Sequence, residues 1–252
     1  MGTPAFLARI KQQDEPRLAV FNAEGTLWPI DIADELVLWM VGTERIRVQS
    51  ARWAEYRRVL LSNPSTAARY RMTFFAGLKG IDLKRHIATF WNNHLRLDWY
   101  EEPVDVLRHL ASEGFNVWLV TSGPAEPLLP IRDLLPVSCV VGNDFAVDQN
   151  GVLTGGHVGI NCVGLGKARK VQTLWSGPVQ FAAGSQLHDE PLLRLARDVA
   201  WAVYPHPALA AIARAAGWEV LPVPGNKPPG LTRRWLTLEE ELEIRGLDLD
   251  RR

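Results

Sequence analysis

Short apolar runs alternate with amphipathic stretches over most of the chain. RLAVFNA (17–23), FNVWLVTS (115–122), VSCVVGNDFAV (137–147), VQFAAG (179–184) and DVAWAVY (198–204) are rich in apolar residues. Runs of this kind suit strands covered on both faces. Between and after them, PVDVLRHLASEG (103–114), AEPLLPIRDLL (125–135), LGKARKVQTLW (165–175), EPLLRLARD (190–198) and PALAAIARAAG (207–217) repeat apolar positions at helical spacing. Gly114 and Gly217 stand where helix C-caps are expected. Strands alternating with helices predict βαβ units, an α/β fold with a parallel sheet, and helices on both faces. In such a sheet the ligand site lies beyond the carboxyl ends of the strands.

One interval breaks this rhythm. From Asp31 to Trp99 there is helical periodicity without a convincing strand, interrupted at NPST and KGID. It predicts a helical insertion over 31–99, leaving 1–30 and 100–225 as the α/β core. DQNGVLTGG (148–156) predicts a hairpin, because Asn150-Gly151 suits a tight turn. The tail, 226–252, begins Pro/Gly-rich, and TLEEELEIRG (237–246) within it predicts a short surface helix with a solvated charged face.

Composition narrows the function classes. Lys plus Arg and Asp plus Glu are equal at 28 each, so no overall field points to nucleic acid or a membrane surface. Cys139 and Cys162 lack disulfide-framework or metal-ligand spacing and read as small buried residues. No apolar run is long enough for a signal peptide or membrane span. The expectation is a cytoplasmic protein with a small-molecule ligand.

Candidate chemistry collects at the predicted strand ends. Asn22 and Glu24, two residues apart, project the same way from the first strand. Gly25 and Thr26 then turn the chain, and their N–H groups could cradle an oxyanion. LVTSGP places Thr121 and Ser122 at the same rim, where they suit an anion or a helix cap. NCVGLGK supplies Lys167, and GSQLHDEPLL supplies Ser185, His188 and Asp189. His188 reads as a loop histidine with no metal role, and Asp189 alone could be a helix cap. Arg45, Arg47, Arg52, Arg57 and Arg58 suggest solvated faces on the insertion, while Trp39, Trp53, Trp91 and Trp99 suggest packing.

The order strand–NAEGT, strand–TSGP, hairpin, NCVGLGK, strand–GSQLHDEPLL resembles the haloacid-dehalogenase (HAD) superfamily over roughly Arg17 to Leu221. The similar branch is the phosphoserine-phosphatase-like one, whose helical cap follows the first motif. The resemblance implies a Rossmann-like core, a closing cap and Mg²⁺-dependent hydrolysis of phosphomonoesters through an aspartyl-phosphate. Thr121 matches the second-motif hydroxyl, Lys167 the third-motif lysine and Asp189 the later fourth-motif aspartate. Asp31 falls near a family position that binds a substrate ammonium, or simply begins the first cap helix. Asn22 stands at the nucleophile, Glu24 at the acid/base and Ser185 at a metal-ligand aspartate. An amide cannot form the aspartyl-phosphate, and a hydroxyl is a poor Mg²⁺ ligand. The chain is therefore expected to bind Mg²⁺ weakly or not at all. It is either weakly hydrolytic, redeployed with Glu24 as acid/base, or an inactive phosphate- or ligand-binding pseudoenzyme.

Overall fold

The computed structural model describes residues 4–10, 16–224 and 236–247. Strand β1 (Leu18–Asn22) leads into four helices: α1 (Ile32–Gly42), α2 (Ser50–Ser62), α3 (Pro64–Met72) and α4 (Gly80–Asn93). Then follow α5 (Glu101–Ser112), β2 (Asn116–Pro124), the hairpin β3 (Cys139–Val147) and β4 (Leu153–Val158), and α6 (Leu165–Leu174). The chain continues through β5 (Val179–Gly184), α7 (Glu190–Leu193), β6 (Ala196–Val203), α8 (Pro207–Ala215), β7 (Glu219–Leu221) and α9 (Leu238–Ile244). The sheet order is β4-β3-β2-β1-β5-β6-β7. Every neighbouring pair is parallel except β3 and β4.

Strand alternation explains the two apolar layers. Ala19, Phe21, Val117, Leu119, Phe181 and Trp201 join a cluster shared with α5 and the helices after β1. Leu18, Val20, Trp118, Val120, Ala182 and Ala202 join another with α6, α7 and α8. β1 lies in the middle of the sheet and is buried throughout. Its carboxyl end is therefore delivered to an enclosed rim.

The segment expected to be helical carries α1–α4, and NPST and KGID fall at the starts of α3 and α4. Every residue of α1 except Glu35 is buried. Trp39 and Trp53 are core residues, and Trp91 and Trp99 pack against the core. The segment also joins the hairpin: Gly77 N donates to Leu153 O and Leu153 N to Leu78 O, both at 2.8 Å. Among the described residues no helix is long and apolar enough to cross a membrane.

Four expectations need correction. Residues 126–133 form a 3-10 helix rather than an α-helix; Pro127 and Pro130 remove N–H donors from the i→i−4 ladder. EPLLRLARD is helical only through Leu193, because its second half enters β6. The helix in 237–246 is not merely solvated: Leu238, Glu241 and Leu242 are buried against α1 and α2. The basic face is also partly engaged, since Arg52 donates to Thr73 O and Arg57 lies 3.6 Å from Glu241. Most of the Pro/Gly-rich stretch lies outside the described residues.

Candidate active site

The turn after β1 is closed by its own backbone. Ala23 O accepts from Thr26 N and Leu27 N, while Gly25 N donates to Trp28 O at 2.7 Å. The N–H groups expected to cradle an oxyanion at Gly25 and Thr26 are thus engaged inside the turn. Gly25 has φ +77°, and a Cβ there would lie 2.8 Å from Ser185 Oγ. Only glycine takes this conformation without strain.

Asn22 Oδ1 accepts a 2.6 Å hydrogen bond from Lys167 Nζ, which also donates to Asp189 Oδ1 at 2.6 Å. Asp189 Oδ2 accepts from Ser185 N and Gln186 N. Asn22 Nδ2 donates to Glu24 O at 2.7 Å and to Thr26 Oγ1 at 3.2 Å. Thr121 Oγ1 donates to Glu24 Oε1 at 3.0 Å while accepting from Gly123 N. Asn22, Glu24, Thr26, Thr121, Lys167, Ser185 and Asp189 are all buried. Six sequence-separated candidates therefore form one connected group with Ser185 beside it.

The electrostatics follow from that burial. Burial first, then Asp31, pushes the Glu24 carboxyl up to about 7, against its own backbone contact, Lys167 and Thr121. Burial also acts to raise Asp189, but Lys167 and His188 hold it below its ordinary value. His188 Nε2 lies 4.0 Å from Asp189 Oδ1.

Lys167 reaches this position because α6 begins at Leu165, within NCVGLGK, which puts the lysine in its first turn. A Cβ on Gly166 would overlap the Asn161 carbonyl. Gly166→Ala should cost about 1–3 kcal/mol through overpacking, read as a lowered urea midpoint; an unchanged midpoint would contradict this packing.

Asp31 stands apart from the central group. It N-caps α1 through Ala33 N and Asp34 N, and its Oδ2 meets Arg71 Nη2 at 2.7 Å. Arg71 also contacts Asp34 and Tyr56, whose hydroxyl donates to Asp34 Oδ1. Burial opposes the Arg71 charge, but Asp31 and Asp34 outweigh it and raise its pKa. Arg71 also approaches the strand-end group, since a Cβ on Gly123 would lie 2.9 Å from its Nη1. Sequence reasoning did not find this network; Arg71 is 40 residues from Asp31, with no motif linking them. It also missed Asn143, whose amide joins Ser122 O to Cys162 N. Among the described residues, the buried hydroxyls of Ser122 and Ser185 find no hydrogen-bond partner.

A family model for haloacid dehalogenase-like hydrolases matches residues 19–194. The chain belongs to that family. No curated protein matches this HAD-family chain. Among solved structures, a protein of unknown function from Bordetella pertussis Tohama I is 24% identical, with TM-score 0.72, covering 81% of this chain and 97% of that one. A substrate-bound phosphoserine phosphatase is 18% identical, with TM-score 0.56, covering 79% and 91%. A probable phosphoserine phosphatase from Vibrio cholerae is 17% identical, with TM-score 0.56, covering 94% and 66%. These likenesses place the HAD chain in the phosphoserine-phosphatase-like architecture.

The Mg²⁺ expected of such phosphatases finds a poor donor set. Asn22 Oδ1 and Asp189 Oδ1 both face the Lys167 ammonium, and Glu24 O faces the Asn22 amide. Ser185 contributes a neutral hydroxyl, whereas Mg²⁺ prefers carboxylate oxygens. Among the described residues no group of three or more His, Cys, Asp or Glu is placed to hold a metal ion. By their chemistry alone, an amide, a neutral hydroxyl and a lysine-paired carboxylate are a poor fit for the ion.

Proposed function

We propose that this HAD-family protein performs acid–base chemistry on a small-molecule ligand through Glu24, without an aspartyl-phosphate or a resident magnesium ion. Residues 1–30 and 100–225 act as the core, 31–99 as a cap over the strand ends, and 226–252 as a tail. The observation that carries the reading is Lys167 Nζ bridging Asn22 Oδ1 and Asp189 Oδ1. That bridge puts a fixed cation between a neutral amide and the lone fourth-motif carboxylate.

Glu24 is suited to the remaining chemistry. A carboxyl titrating at about 7 is present in both forms near neutrality, so it can donate a proton or accept one. Thr121 holds Oε1 and thereby orients the carboxyl. Its hydroxyl hydrogen is committed to that bond, and the Gly25 and Thr26 N–H groups are committed within the turn. This engagement argues for a ligand other than a phosphate dianion. It equally favours a second reading, a non-catalytic ligand-binding protein, because the would-be phosphate donors already satisfy one another.

The test is the titration of Glu24, followed by the ¹³C shift of its carboxyl. The expected midpoint is near neutrality; a midpoint near 4.5 would remove the acid–base reading. A phosphomonoester panel should give no turnover at ordinary phosphatase rates, and such turnover would also sink it.

Stability supplies an independent check. Glu24 holds its proton more tightly when folded, so its contribution is present below pH 4.5 and is lost as pH rises towards about 7. Across that window wild type should lose about 3–4 kcal/mol relative to Glu24→Gln, at about 1.4 kcal/mol per pH unit. Urea unfolding of both proteins at pH 4.5 and pH 8 measures the difference; a pH-independent gap would contradict the raised pKa.

A further inference from the structure

We propose that the C-terminal helix α9 is a strap holding α1 against the core, so that its release loosens the closed site. The helix lies beyond the family match, which ends at residue 194. It packs on α1 and α2 rather than on the sheet that precedes it in the chain. Arg245 grips Glu35 with two hydrogen bonds, Nε to Oε2 at 2.7 Å and Nη2 to Oε1 at 2.5 Å. Glu35 is the one residue of α1 that is not buried. Arg245 Nη1 also donates to Glu241 Oε2 at 2.7 Å, and Glu241 faces Arg57 of α2. Ser50, at the start of α2, donates to Glu239.

Apolar contact completes the attachment. Leu238 and Leu242 belong to the main core cluster, and Leu247 packs into the space left by Gly42, where any Cβ would clash. The helix also caps itself: Thr237 and Glu240 form a reciprocal capping box. Such a box satisfies end donors of the short helix from within, and its packing on α1 and α2 supplies the rest.

What the strap holds is the approach to the site. Asp31 caps the start of α1 and Asp34 lies in its first turn; this end of the helix reaches the strand-end group, where a Cβ on Gly123 would lie 3.4 Å from both Ala33 Cβ and Thr121 Oγ1. At its other side the α1–α4 segment is joined to the hairpin by Gly77, Leu78 and Gly80 hydrogen bonds to Leu153 and Gly151. The strap and this clasp grip different parts of one helical layer. With Glu24, Asn22 and Lys167 at 7% exposure or less, ligand exchange requires that layer to move. The strap supplies a point of release remote from the buried chemistry.

Hydrogen exchange of the full chain, read by mass spectrometry, tests this in Arg245→Ala and Arg245→Lys. In Arg245→Ala, peptides covering 22–42 should exchange on the order of tenfold faster, the effect of losing a charge-assisted pair. Peptides from β5 and β6 should be unchanged. Arg245→Lys keeps the charge but loses the two-pronged grip, so it should fall between. Faster exchange confined to α9, or equal acceleration in β5 and β6, would overturn the strap. A variant that loses the whole fold would count as the second of these.

Discussion

Replacing Asn22 and Ser185 together by aspartate should give this HAD-family protein a magnesium site that the wild-type sequence disfavours. Asn22→Asp removes Nδ2, whose hydrogen bond holds the Glu24 carbonyl, and adds an anionic oxygen beside Lys167. Ser185→Asp replaces a hydroxyl that finds no hydrogen-bond partner among the described residues with a second carboxylate. If each gains about 1.5–3 kcal/mol of charge-assisted interaction, Mg²⁺ affinity should rise by roughly 10²–10⁴ in the double variant. Calorimetric titration with MgCl₂ reads this directly. Either single replacement should give less than the pair, since Lys167 still neutralises the first carboxylate and the second acts alone. Micromolar binding by wild type, or no gain in the double variant, would refute the donor-set argument. The phosphomonoester panel then separates metal from nucleophile. Loss of a nucleophile costs on the order of 10⁶ in an unrelated protease, so any hydrolysis gained should require aspartate at 22.

The outcome bears on how far a sequence can be read. The α/β core was legible because buried parallel strands must be apolar on both faces, and runs such as LAVFN and VQFAAG have no other easy place. The positive φ at Gly114 and Gly217 likewise follows from where those helices end. Order along the chain also brought Asn22, Thr121, Lys167 and Asp189 together, since strand ends in one sheet converge on one rim. Hydrogen-bond direction was not legible. NAEGT carries the N–H groups of an oxyanion cradle, but whether they point at a ligand or at Trp28 O depends on turn geometry. Nor could spacing reveal the Arg71 network, whose members sit on α1, α2 and α3. The errors at 125–135 and 190–198 share a cause: an apolar period of three to four residues does not distinguish an α-helix from a 3-10 helix or from a helix running into a strand.

Lys167→Met should be the most destabilising single replacement in the site. Lys167 and Asp189 are a buried ion pair, with side chains 1% and 0% exposed. Methionine fills similar volume but leaves the Asp189 carboxylate and the Asn22 carbonyl oxygen without their shared donor. Breaking a buried pair from one side costs about 3–5 kcal/mol, because the surviving charge stays buried. The pH dependence has a definite sign. Asp189 is held below its ordinary value of 3.8, so the stabilisation is present above that pH and fades as acid protonates the carboxylate. Urea unfolding should therefore show the widest gap between wild type and Lys167→Met at neutral pH, narrowing in acid. Asp189→Asn supplies the control, since an amide oxygen can still accept from Ser185 N and Gln186 N. In Lys167→Met/Asp189→Asn no buried charge is stranded, so the double variant should be more stable than Lys167→Met alone. Strictly additive losses would mean that the two side chains are not coupled. Lys167 would then owe its place to Asn22, and the bridge would not act as the internal cation on which the metal-free reading rests.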